Sequence, residues 1–150
     1  MKNTRIVKAI LVISGLILMI IGTATLFAPV AFLGTTGIDL GGQINLLSEI
    51  RAPGAALLAS GLIILLGAFV TRLTSTSAVI STLLFLSYSI GRILSIVIDG
   101  QPAQSIMGAT VIEMILGLAG LFVLMSHRQV NQYDSRQTTN SNKNVRSFNA

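Results

Sequence analysis

Arg92 and Glu113 are the residues with most capacity for chemistry, because each interrupts a long apolar run. A charge at the centre of a bilayer costs about 2.5–3.5 kcal/mol on insertion scales. Such a group needs a partner, and by default it marks a site for a ligand, an ion or a proton. Their neighbours are polar at helical spacing. Ser81, Phe85, Tyr88, Arg92, Ser95 and Asp99 follow three- and four-residue steps, and so do Ala109, Glu113, Gly117 and Gly120. Arg92 precedes Ile98 by six residues, about 9 Å of helix, and Glu113 follows Ile106 by seven, about 10 Å. On antiparallel neighbours joined by a short turn, the two charges fall at one level. An ion pair is the prediction. Glu49 and Arg51, at the start of another apolar run, could join Tyr88, Arg92, Asp99 and Glu113 in one charged cluster in the outer half of the bundle.

Other chemistries find less support. The chain has no cysteine, which removes disulfides, thiolate catalysis and cysteine-ligated metals. The single histidine, His127, lies past the last apolar run beside Arg128 and reads as an interfacial polar residue. No cofactor or metal is expected. Catalysis on a lipid or quinone would need a nucleophile, an acid–base pair or a metal in mutual reach. Tyr88, Asp99 and Glu113 could relay a proton, but spacing marks no base beside any serine or threonine. The net charge of +5 forms no continuous stripe, and tryptophan is absent, so nucleic acid is not an expected partner.

The elements that must hold these charges are apolar. Of the 150 residues, 52% are hydrophobic and only 10% charged, against roughly 25% charged in soluble domains. So few charges cannot cover a water-facing surface. Four runs approach the ~20 residues a helix needs to cross the hydrocarbon core: Val7 to Ala28, Pro53 to Val70, Ala78 to Ile98 and Ile106 to Met125. Period-two alternation is missing, which excludes a membrane barrel. Pro29 is read as ending the first helix and Pro53 as opening the second, with Glu49 and Arg51 on an irregular turn ahead of it. Thr71 to Ser77 is read as the second connection, and Asp99-Gly100-Gln101-Pro102 as the third. Gly15, Gly22 and Pro29 recur every seven residues, as do Gly54, Gly61 and Ala68, which predicts close helix contact.

The expected fold is therefore all-α, a four-helix transmembrane antiparallel bundle over residues 1–126. A polar tail over 127–150, rich in Ser, Asn, Gln and Thr, is expected to be disordered. Lys2, Arg5 and Lys8, then Arg72, then Arg128, Arg136, Lys143 and Arg146 mark both termini and the middle turn as cytoplasmic. That places the chain in the cell (inner) membrane, surrounded by lipid. The basic amino end also resembles a signal peptide, with Ala28 or Ala31 near a cleavage site. The length of the run and its glycine heptad favour a retained helix.

At the polar positions the sequence resembles a bacterial membrane family known as domain of unknown function 4345. The resemblance rests on Glu49-Ile50-Arg51 ahead of Gly54, on Arg92 leading to Asp99-Gly100-Gln101-Pro102, and on Glu113. It covers roughly Val7 to Met125. Gly54-Ala55 stands where the family has two adjacent glycines. The resemblance implies a four-helix membrane protein similar in architecture to the DoxX-like bundles, and it implies no activity.

Two functional classes are consistent with these residues. The first is a non-enzymatic module that binds a lipid headgroup, a small ligand or a protein partner through Glu49, Arg51, Tyr88, Arg92, Asp99 and Glu113. The second is a proton- or ion-coupled transporter in which Glu113 titrates. One four-helix unit encloses little space, so transport would require a homo-oligomer.

Overall fold

The computed structural model describes residues 2–125. The predicted tail lies outside them, with His127 and Arg128. The described chain forms α1 (Lys2–Phe27), α2 (Pro29–Gly34), α3 (Ile44–Gly67) and α4 (Thr71–Asp99), followed by α5 (Gln104–Met125). Helices α1, α3, α4 and α5 are each long and apolar enough to span a membrane. Large apolar side chains such as Ile20, Leu62, Leu83 and Ile115 point away from the bundle. A lipid solvent accounts for that exposure, because every backbone polar group of a spanning helix is satisfied within the helix itself. The protein is a multi-pass membrane protein built as an all-helical bundle.

The seam between α1 and α3 is made by glycines. A methyl on Gly15 would lie 2.9 Å from the Gly61 carbonyl oxygen, and a methyl on Gly61 would lie 2.9 Å from that of Gly15. One heptad along, a methyl on Gly22 would lie 2.9 Å from the Gly54 carbonyl oxygen and against the Leu58 nitrogen, and one on Gly54 would meet Thr25 and the Leu26 nitrogen. The two backbones touch where side chains are missing, the packing expected of small residues in lipid. Leu11, Leu18, Leu57 and Ile64 close the interface on either side.

Two boundaries differ from expectation. Pro53 does not open α3 but lies inside it, so Glu49 and Arg51 are helical residues and not part of an irregular turn. Proline costs the helix one hydrogen bond, to the Glu49 carbonyl. Leu46, Leu47, Glu49, Arg51 and Ala52 are all good helix formers, and they carry the helix across the gap. Thr71 to Ser77 is likewise not the connection. These residues are the first two turns of α4, and Ala68–Val70 alone makes the corner. Thr74 Oγ1 donates to the Gly67 carbonyl and Ser77 Oγ to that of Ile63, both at 2.8 Å. The hydroxyls that suggested a polar loop instead lock α4 onto the end of α3.

Pro29 does end α1, and it also starts α2. Ala28 leaves helical geometry, and its carbonyl accepts the Phe32 amide at 2.9 Å. Proline suits a first helical position because its missing donor is not needed there. The α2 carbonyls are closed by the hydroxyls of Thr35 and Thr36, which donate to Phe32 and Leu33. Gly37, Gly41 and Gly42, at φ of 81°, 53° and 70°, then turn the chain back toward α3. Leu40 is buried within this turn and pins it to the bundle.

Candidate functional site

Helices α4 and α5 bring the two intramembrane charges together. Gly117 sits one turn from Glu113, and a methyl there would lie 3.1 Å from the Leu86 nitrogen on α4. Gly120 approaches Thr82 in the same way, at 2.7 Å from its hydroxyl oxygen. Close backbone contact at these glycines draws α5 against α4 and presents Glu113 to Arg92. The Arg92 Nε donates to Glu113 Oε2 at 2.9 Å, as their shared level in the bundle predicts. The Glu113 side chain is only 11% exposed, while that of Arg92 is 33% exposed. Among the described residues, neither the Arg92 Nη groups nor Glu113 Oε1 has a further hydrogen-bond partner.

Arg92 and Glu113 both line a cavity of about 170 Å³. Leu18 and Ile21 of α1 form one wall, with Leu57 of α3 and Phe85 of α4. Ile106 and Ala109 of α5 and Phe32, Leu33, Thr36 and Ile38 from the α2 corner also line it. Tyr88, half-buried one turn before Arg92, is a further lining residue. The result is an apolar chamber with one polar side. Arg92 also borders an open groove along Ser87, Gly91 and Ser95 on the flank of α4, so it is reached from two directions.

Of the six residues expected to cluster, the cavity gathers Tyr88, Arg92 and Glu113. Asp99 is exposed at the end of α4 and accepts a 2.9 Å hydrogen bond from Ser95 Oγ. Glu49 and Arg51 are exposed on α3, and Arg51 borders a separate groove near Leu26 and Ile44. The extension of α3 through Pro53 places them there. What sequence reasoning missed is the α2 corner. Its signal was length, since about 25 residues between two apolar runs is long for a structureless connection. Ser14 was also missed, whereas Ser81 stood in the polar stripe of α4. Both hydroxyls are fully buried and, among the described residues, lack a hydrogen-bond partner.

A family model described as "Domain of unknown function (DUF4345)" matches residues 6–124. The chain belongs to this family. No curated protein and no solved structure matches it. The DUF4345 stretch contains nearly all of the four spanning helices and the whole cavity lining, from Leu18 to Glu113. The chamber is thus formed within the family's domain and not by an appendage to it.

Proposed function

We propose that this DUF4345 protein is a membrane-embedded binding module that holds a small amphipathic ligand beside the Arg92–Glu113 pair. One observation carries this reading: an ion pair with unused hydrogen-bonding capacity faces an apolar chamber roofed by its own short helix. A purely structural lock has no use for open space at its polar groups. Concave, mostly apolar sites with a few convergent polar groups are the usual form of a ligand pocket. Arg92 and Glu113 would orient the ligand's polar end, Tyr88 would assist, and the α2 corner would cover it.

In this reading the chain lies in the inner membrane with both termini cytoplasmic. Arg5, Lys8 and Arg72 sit at one end of the bundle, and Asp39, Glu49 and Asp99 at the other, where Arg51 is the one basic residue beside them among the described residues. That asymmetry supports the assignment, under which the chamber would lie in the half of the bundle nearer the outer surface.

Native mass spectrometry of gently extracted protein tests the binding reading. A retained small molecule or lipid, lost in Arg92→Ala, is the expected result. A chain that carries nothing, or that keeps its adduct unchanged in Arg92→Ala, would count against it.

A further inference from the structure

The chemistry of the chamber narrows the class of ligand, an inference that rests on the protein being a binding module. Charge decides first. Arg92 and Glu113 sum to zero, so an anion added beside them would leave one uncompensated negative charge in a low-dielectric site, and a cation one positive charge. Burying an unpaired charge is far more costly than burying a hydrogen-bonded neutral group. Hydrogen-bonding capacity decides second. The Arg92 Nη groups offer donors only, and Glu113 Oε1 offers an acceptor only. A group that both accepts and donates from one atom satisfies both sides, and a hydroxyl does this. Size decides third. A cavity of about 150 Å³ holds benzene, so 170 Å³ holds a body of about that size or slightly larger.

We propose that the chamber binds the uncharged hydroxyl end of an amphiphile, an alcohol or phenol whose six- to eight-atom head fills the space between Phe85 and Ala109 (about the benzene scale). The hydroxyl oxygen accepts from an Arg92 Nη and its proton is donated to Glu113 Oε1. The head could belong to a free small phenol or to a neutral hydroxylated lipid. The groove along Ser87, Gly91 and Ser95 lets a lipid's remainder pass Arg92 into the surrounding bilayer.

The test uses the full chain in nanodiscs and three fluorinated probes followed by fluorine NMR: 4-fluorophenol, fluorobenzene and 4-fluorobenzoate. Signal that disappears in Ala109→Phe, which fills the chamber from one turn before Glu113, counts as specific. The expected result is specific binding of 4-fluorophenol at least tenfold tighter than of fluorobenzene or fluorobenzoate. In Arg92→Met/Glu113→Met the phenol's advantage over fluorobenzene should vanish while both still bind. Tighter specific binding of benzoate overturns the neutral-hydroxyl proposal and leaves a ligand site for anions. Equal binding of phenol and fluorobenzene in the wild type overturns it as well. No specific binding of any probe, together with no adduct in native mass spectra, defeats the binding reading itself. Native spectra of the same preparation separate the sources. A neutral hydroxylated lipid displaced by 4-fluorophenol indicates a membrane-derived ligand, and phenol binding without any retained lipid indicates a free small molecule.

Discussion

At Glu113 and Arg92 the two partners of one ion pair have unequal escape routes. Arg92→Ala leaves a carboxylate that is 11% exposed with no counter-charge. Glu113→Ala leaves a guanidinium already one-third exposed, on a long stem that can reach toward the polar boundary. Arg92→Ala should therefore destabilise the protein by about 2–4 kcal/mol and Glu113→Ala by only about 1–2 kcal/mol. The double variant should lose less than the sum, with a coupling of about 1–3 kcal/mol. Unfolding of purified protein in mixed micelles measures all three. Equal single losses that simply add would mean the two side chains do not depend on each other. The pair was legible in the sequence because a short turn and a fixed rise per residue leave little freedom in level. The separation of Glu49, Arg51 and Asp99 from the pair was not. Whether a terminal charge faces inward depends on where its helix begins, and α3 begins well before its proline.

At the scale of the helices, two kinds of contact hold the bundle, and they make different predictions. Where glycines of α1 and α3 bring backbones together, added bulk has nowhere to go. Gly22→Ala and Gly61→Ala should each cost about 1–3 kcal/mol by overpacking. Among the described residues, nothing beyond its own helix backbone lies within 4 Å of the missing Cβ of Gly91 on α4, so Gly91→Ala should change stability by no more than about 0.5 kcal/mol. The same unfolding assay separates the two classes, and a similar loss at Gly91 would show that its face is occupied. Thr74 and Ser77 hold the α3–α4 corner through carbonyls of α3. Thr74→Val and Ser77→Ala should each cost about 0.6–2 kcal/mol, the range of interhelical hydrogen bonds in membranes. The seven-residue glycine spacing was readable because backbone contact imposes it on the sequence. The Thr71–Ser77 turns were not readable as helix. A run of hydroxyls looks like a loop unless the carbonyls it satisfies are known.

Over the whole molecule, the four spans make a scaffold whose ends differ in charge and in covering. One end has the tight Ala68–Val70 corner with Arg5, Lys8 and Arg72. The other has α2 and the glycine turn that roof the chamber. Reporter fusions should find the carboxyl terminus in the cytoplasm and an insertion at Gly41 outside it, and the reverse pattern would invert the positive-inside assignment. The four spans were legible because ~20-residue apolar runs have few alternatives. The roof was not legible, because a six-residue helix carries too little sequence to show a period. The chamber depends on that roof and so appears only once the chain is folded.

The most direct test is a dipolar-recoupling NMR measurement on protein in lipid bilayers, with ¹⁵N at Arg92 Nε and ¹³C at the Glu113 carboxyl carbon. A guanidinium held 2.9 Å from Oε2 gives strong dephasing between the two labels, and that is the predicted result. Absence of measurable dephasing in folded protein would mean the charges stand apart in lipid, and the chamber would then lose the polar side on which its proposed function depends.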